Sequence, residues 1–279
     1  MTIRPNPSTL DVQALVRDTL TSSAGERTSE SASTSDLSID EELNLHSIGW
    51  ETVELVSGYS MFSTPVGLWN WGQGEIVAAG EAHANTFRNA SSRLCDEAGT
   101  AGAHGVVGVH VERAIHPSFT EVSLIGTAVR PIGARGIPSS RVFASDLSAR
   151  DFARLVASGW EPLGLAVGAS FVYAPRRTMG AVFQQQSQNV ELTNYTEAIY
   201  SARELAMERM QQYALGLHGT GVVEVKIIEG PMSFASHAVG FATWGTVVRR
   251  SGSAPQPLTP TMVVSLNDAA VTFDAATLG

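Results

Sequence analysis

Apolar and polar residues alternate in the run TVELVSGYS, Thr52 to Ser60, and again, with fewer polar breaks, in PLGLAVGASFVY, Pro162 to Tyr173. Both runs predict β-strands, because successive strand side chains point to opposite faces. Each is followed by a loop, TPVGLWNWGQG in one case and APRRTMGAVFQQQSQN in the other, and then by a change of period. Residues from Glu75 to about Ala101 are rich in Ala, Glu and Arg. The later stretch TEAIYSARELAMERMQQYALG sets Ile199, Leu205 or Ala206, Met210 and Tyr213 or Ala214 at helical spacing. A long amphipathic helix is expected in each place. Both helical patterns run into Gly-x-His-Gly, where a glycine can take the left-handed conformation that closes a helix. Two runs of β-branched residues complete each series: GVVGVHVE then EVSLIGTAVR, and GVVEVKII then HAVGFATWGTVVR. The predicted order, strand, long helix, strand, strand, occurs twice.

The residues that lead into the two series repeat almost word for word. SDLSIDEELNLHSIGWE, Ser35 to Glu51, and SDLSARDFARLVASGWE, Ser145 to Glu161, agree at eight of seventeen positions, including a tryptophan. Such a match points to an internal duplication. Ser38 followed by Glu41, and Ser148 followed by Asp151, place a helix N-cap and an acid three residues on, so each copy opens with a short capped helix. Gly49 and Gly159 stop these helices, and Trp50 and Trp160 are expected to anchor helix to sheet in equivalent buried positions. Further on, Gly58 pairs with Gly168, the two Gly-x-His-Gly strings with each other, and GTAVR with GTVVR.

The duplication sets the expected domain organisation: a flexible tail over 1–34, a first domain over 35–131, a linker over 132–144, a second domain over 145–250 and a C-terminal extension over 251–279. Nine of the fifteen residues from Thr21 to Ser35 are Ser or Thr, too polar to offset the entropy of ordering by burial. The stretch before them, STLDVQALVRDTL, is a candidate docking helix through which the N-terminal segment could meet a protein partner. A chain of 279 residues with 43% hydrophobic content can bury two cores. Its net charge of −9 and lack of clustered Lys and Arg argue against nucleic acid as a partner. One cysteine, Cys95, forms no internal disulfide and is expected to be a core thiol. With no apolar run of about 18 residues and no leader pattern, neither a membrane span nor secretion is expected, and the chain is read as cytoplasmic.

Catalytic signatures are missing: no GxSxG, no GxxxxGK[ST], no HExxH and no Cys-x-x-Cys. The expectation is that the chain is not an enzyme. Glu51 and Glu161, beside their tryptophans, are read as strand-start glutamates. A sheet of three strands with one helix leaves a face and two edges uncovered, and the apolar residues on both faces of GVVGV require another layer. Self-association is expected for that reason alone.

A strand, a long helix carrying YTEAIYSARELAMERM, the Gly-x-His-Gly close, the GVVGV strand and the final GTAV together resemble the bacterial YbjQ family, also called UPF0145 and labelled putative heavy-metal-binding. The resemblance covers most of 46–130 and 157–250, although Glu224 interrupts GVVGV in the second copy. It implies an α+β fold of two tandem dodecin-like β-α-β-β units, each preceded by its short capped helix, in a homo-oligomeric ring, by analogy a pentamer of two-domain chains. It also implies a non-catalytic ring, scaffold or binding module. Two alternatives accompany that reading. Ring-clustered histidines, with His104 and His218 as candidates, would bind a divalent or soft metal ion. Trp69 and Trp71 would stack a small aromatic ligand, as dodecin-like rings stack a flavin. No other cofactor is expected.

Overall fold

A computed structural model describes residues 34–63, 74–116, 118–175, 191–231 and 237–252. Among them the chain forms four helices and seven strands of an α+β fold. In chain order these are α1 (Ile39–Ser47), β1 (Trp50–Ser63), α2 (Val77–Thr100), β2 (Gly105–Ile115), β3 (Phe119–Pro131), β4 (Phe143–Ala144), α3 (Ala149–Ala157), β5 (Trp160–Tyr173), α4 (Thr193–Gly216), β6 (Gly221–Pro231) and β7 (Ala238–Arg250). The candidate docking helix, the loop tryptophans Trp69 and Trp71, and nearly all of the C-terminal extension lie outside the described residues.

The two sheets follow one plan. Sheet A has the order β1-β3-β2-β4 and sheet B the order β5-β7-β6, and in each the long helix joins the first strand to the opening strand of an antiparallel hairpin. Both hairpins carry a bulge at the same place, at Gly108 with φ 65° and at Glu224 with φ 53°. Glycine adopts this left-handed conformation freely, whereas a glutamate there is strained. Glu224 therefore keeps the bulge while breaking the letter pattern.

Both short helices are capped as their sequences predict. Ser38 Oγ accepts from Glu41 N at 3.4 Å, and Glu41 Oε2 accepts from Ser38 N at 2.9 Å, a complete capping box. In α3, Asp151 N donates to Ser148 Oγ at 3.1 Å, but the shorter Asp151 carboxylate takes the Ser148 hydroxyl at 2.8 Å and leaves the backbone N–H alone. The linker expected over 132–144 ends in β4, which lies parallel beside β2.

The layers run sheet A, α2, sheet B, α4. On one side α2 sets Phe87, Ala90, Leu94 and Ala98 against Val56, Val106, Val122 and Leu124 of sheet A; the same cluster reaches Leu165, Val167 and Trp244 of sheet B. Helix α4 covers the other face of sheet B through Ala198, Ala202, Ala206, Met210 and Ala214. Each long helix crosses the first strand of its own sheet at a glycine, α2 at Gly58 and α4 at Gly168, with helix backbone lying where a Cβ would stand. These are the two glycines that the repeat brought into register.

The tryptophans are not equivalent in environment. Both are half-buried. Trp50 meets Phe152 edge-on at 5.2 Å and Phe143 at 6.0 Å, in the cluster where α1 and α3 pack together with Leu45 and Leu147. Trp160 carries the Arg250 guanidinium 5.4 Å above its ring. The cause is asymmetry in the chain: α1 and α3 both gather at the junction of the two halves, and the junction lies beside Trp50.

Candidate functional site

The described features with a purpose beyond the cores lie where one half of the chain meets the other, and where the same surfaces are left open. At the junction, the repeated Ser-Asp-Leu-Ser string threads over the last strand of its own half. Asp36 N donates to Thr127 Oγ1 at 3.2 Å, and Asp146 N to Thr246 Oγ1 at 3.1 Å. Thr246 returns its hydroxyl proton to Asp146 Oδ1 at 2.6 Å, and Lys226 Nζ stands 3.3 Å from Asp146 Oδ2. Burial raises the Asp146 carboxyl above its ordinary pKa, with the hydrogen bond from Thr246 and the Lys226 charge opposing that rise. The second string itself also edges the first sheet: Ser145 N donates to Val106 O, Val109 N to Ser145 O and Gly108 N to Leu147 O. The string thus fastens sheet B's half to the edge of sheet A. Between the strands lies a cleft of about 380 Å³, lined by Asp36, Glu41, Thr127, Asp146, Asp151 and Lys226 among others.

A second fastening joins the halves through α2. Glu75, just ahead of that helix, receives Arg209 of α4 on both carboxylate oxygens, the Nη2 contact being 2.9 Å, and Ser170 Oγ at 2.8 Å. Burial pushes the Glu75 carboxyl upward, and the Arg209 and Ser170 hydrogen bonds with the Arg209 charge outweigh it, so its pKa lies below the ordinary value. Ile76 then enters sheet B's outer cluster with Ala79, Ala169, Phe171 and Tyr173.

Among the described residues nothing covers the corresponding face of sheet A. Residues of β1 alternate strictly, with Val56, Gly58 and Ser60 buried and Leu55, Ser57, Tyr59 and Met61 exposed. Every residue of β5 from Leu165 to Tyr173 is buried, because α2 and α4 cover its two faces. Strand β6 is a second open element: Val225, Ile227 and Ile228 are all exposed on it.

The histidine candidates do not correspond. The backbone register matches Gly105 with Gly221 and the helix-closing bond from Ala103 N to Ala98 O with that from Gly219 N to Ala214 O. His104 therefore corresponds to Thr220, and His218 to Gly102. His104 Nε2 lies 2.8 Å from Ile137 O, while His218 is exposed and holds a left-handed φ of 62° at its helix end, where Gly102 has 76°. Among the described residues no three His, Cys, Asp or Glu side chains are grouped to hold a metal. Glu51 and Glu161 pair with Arg130 (2.7 Å) and Arg249 (2.6 Å), a repeated strand-to-strand clasp. Burial pushes the Cys95 thiol up to about 12, in keeping with a core thiol. His83, which sequence reasoning passed over, is 1% exposed with neither ring nitrogen hydrogen-bonded, and burial followed by the Arg113 charge lowers its pKa to about 3. A charged-looking residue on an Ala-rich helical face was the available signal.

No protein-family profile matches the chain, and no solved structure does. An encapsulin nanocompartment protein of Mycobacterium tuberculosis is 35% identical over 255 residues, 88% of this chain and 96% of that protein. This overturns the resemblance to the YbjQ/UPF0145 family and, with it, the functions taken from that family: the YbjQ-like ring module, heavy-metal binding through His104 and His218, and aromatic-ligand binding at Trp69 and Trp71. The motifs that carried the resemblance are demands of the fold. Gly102 closes a helix and Gly108 forms a bulge, both with positive φ, and the second unit keeps the same two backbone conformations with His218 and Glu224 in their places. The relative is named as a nanocompartment protein, in keeping with the reading of this chain as not an enzyme. Among the described residues no helix is long and apolar enough to cross a membrane.

Proposed function

The chain belongs to the family of that encapsulin nanocompartment protein, and from this premise we propose that it is a non-catalytic, self-associating structural component of a nanocompartment. Each chain contributes two units, over 35–131 and 145–250, and works without a cofactor. Its place is the cytoplasm, where a single thiol needs no partner. The observation that carries the proposal is the apolar face of sheet A: Leu55, Tyr59, Met61 and Ile125 are exposed together on two hydrogen-bonded strands. Water-facing apolar surface of this kind marks a surface meant for contact. Strand β6 is the edge of sheet B among the described residues and bears exposed isoleucines, the second feature that favours association. The figure of five chains came with the corrected resemblance and is dropped with it.

The test is the mass and shape of the purified full chain. Light scattering at micromolar concentration is expected to give a multiple of the 29.5 kDa chain, and electron microscopy regular particles. A monomer in both measurements refutes the proposal.

A further inference from the structure

Within one chain, the outer face of sheet B is covered by the helix of the preceding half. The positions that make this contact have counterparts on the two surfaces that remain open, and they recur at constant spacing. In the first strands, Leu55, Ser60 and Met61 correspond to Leu165, Ser170 and Phe171, 110 positions on. In the long helices, Glu75, Ile76 and Arg93 correspond to Glu191, Leu192 and Arg209, 116 positions on.

The correspondence extends to hydrogen bonds. Arg209 Nη1 donates to Ala169 O at 2.8 Å, and Arg93 Nη1 donates to Tyr59 O, the equivalent carbonyl, at 2.5 Å. Arg209 then spends its remaining donors on Glu75, the acid of the other half. Arg93 Nη1 is set in the same pose; the Glu75 contacts of Arg209 run through Nη1 and Nη2, and the buried Nε of Arg93 has no hydrogen-bond partner among the described residues. Ser60 lies beneath, 2% exposed, where Ser170 binds Glu75 in sheet B. On the helix side, Ile76 is 7% exposed in its cluster, whereas Leu192 is 46% exposed. Sheet-face residues differ in the same way: Leu55, Tyr59, Met61 and Ile125 are each at least 38% exposed, while Leu165, Ala169, Phe171 and Trp244 are at most 5%.

We propose that the outer face of sheet A with Arg93 is a socket for the Glu191–Leu192 end of α4 from a second copy of this chain, which repeats between chains the contact that joins the halves within one. Glu191 of the second copy takes Arg93 and Ser60, and Leu192 seats beside Met61 as Ile76 seats beside Phe171, whose carbonyl accepts Ile76 N at 2.7 Å. The contact is head to tail, since each chain offers a socket at sheet A and a plug at α4, so it propagates until it closes into a ring or continues as a filament. Side chains are bulkier here than inside the chain, Tyr59 for Ala169 and Thr196 for Gly80, so the two contacts are related and not identical. The proposal rests on the self-association reading above and specifies its surface.

The experiment compares the full chain with Arg93→Glu, Glu191→Arg and the double exchange, by light scattering over a dilution series, with circular dichroism to follow the fold. Each single variant is expected to remain folded and to associate roughly tenfold more weakly or worse, because like charges then meet across the contact. The double exchange is expected to recover most of the assembly. A parent that is monomeric overturns the self-association reading itself. A parent that assembles while both single variants assemble as tightly, or a double exchange that recovers nothing, overturns the socket and leaves that reading standing. Independently of charge, a Met61→Cys, Leu192→Cys chain carrying Cys95→Ser is expected to give a ladder of disulfide-linked chains on oxidation. Its absence in a parent that assembles also overturns the socket.

Discussion

Replacing Gly58 by alanine adds one methyl at the point where α2 crosses β1. That methyl would stand 2.7 Å from the Leu94 nitrogen and 2.9 Å from its Cβ, and closer still to the Ala90 carbonyl, where ordinary contact begins at 3.4 Å. The obstacle is helix backbone, which cannot rotate away as a side chain does. Helix and sheet must part by several tenths of an ångström to an ångström, loosening Val56, Phe87 and Leu94 together. Overpacking of a dense core costs about 1–3 kcal/mol, and a backbone obstacle belongs at the upper end. Alanine also restricts the unfolded chain, which returns about 0.4–1 kcal/mol. The expected net loss is about 2–3 kcal/mol, read from urea unfolding at fixed chain concentration, since association would otherwise shift the midpoint. Gly168→Ala should behave alike, because Met210 N would lie 2.8 Å from its Cβ. Gly108→Ala separates the two reasons for needing glycine: nothing lies within 4 Å of its Cβ, but its φ is 65°. Its cost is the left-handed conformation alone, about 1–2 kcal/mol. A Gly58→Ala protein within about 0.5 kcal/mol of the parent would refute the crossing argument, for that is the range of surface substitutions.

His83 makes stability depend on acid. Its folded pKa lies at about 3 against an ordinary 6.5, so the unfolded chain alone takes up the proton as pH falls through that window, and stability is lost progressively by up to about 5 kcal/mol. His83→Leu should remove the share of that decline lying between pH 6.5 and 4.5, about 2 kcal/mol, when urea midpoints are compared across pH; an unchanged slope counts against a neutral buried ring. The two caps should respond with similar size and different chemistry: Ser38→Ala and Ser148→Ala each cost about 1 kcal/mol in thermal unfolding. Asp151→Glu, which lengthens the acid to reach the backbone N–H as Glu41 does, should be neutral or stabilising.

Local features were legible because their causes are local. A cap needs a Ser and an acid three residues later, a strand needs alternation, and of the long helices Val77–Thr100 lies within the stretch its periodicity marks while Thr193–Gly216 begins three residues before its stretch and ends with it. Register was the harder matter. From 110 at the first strands the spacing between copies grows to 116 at the helices and to 119 at β3 and β7, every step falling in a connection. A four-letter match, Gly-x-His-Gly, suggested 114 and so paired two histidines that the backbone places apart. The better markers were single residues at constant spacing, Arg93 with Arg209 and Glu75 with Glu191, which no motif names. Long-range cover was illegible altogether: nothing in PLGLAVGASFVY says which helix will lie over its second face.

The two sheet faces differ in composition as they differ in surroundings. Over sheet B the covered face holds Leu165, Val167, Ala169, Phe171 and Trp244, apolar throughout, as befits a surface that never meets water in the folded chain. The same positions of sheet A hold Leu55, Ser57, Tyr59, Met61 and Ile125, and Glu121 beside them. Tyr59 Oη donates to Glu121 Oε2 at 2.9 Å, and that hydrogen bond, with burial and the glutamate charge, raises the phenol's pKa and keeps it protonated. A face of this mixed kind tolerates solvent and still offers the proposed second copy apolar anchors ringed by polar groups. Had both copies kept the apolar version, the lone chain would expose a core surface and aggregate.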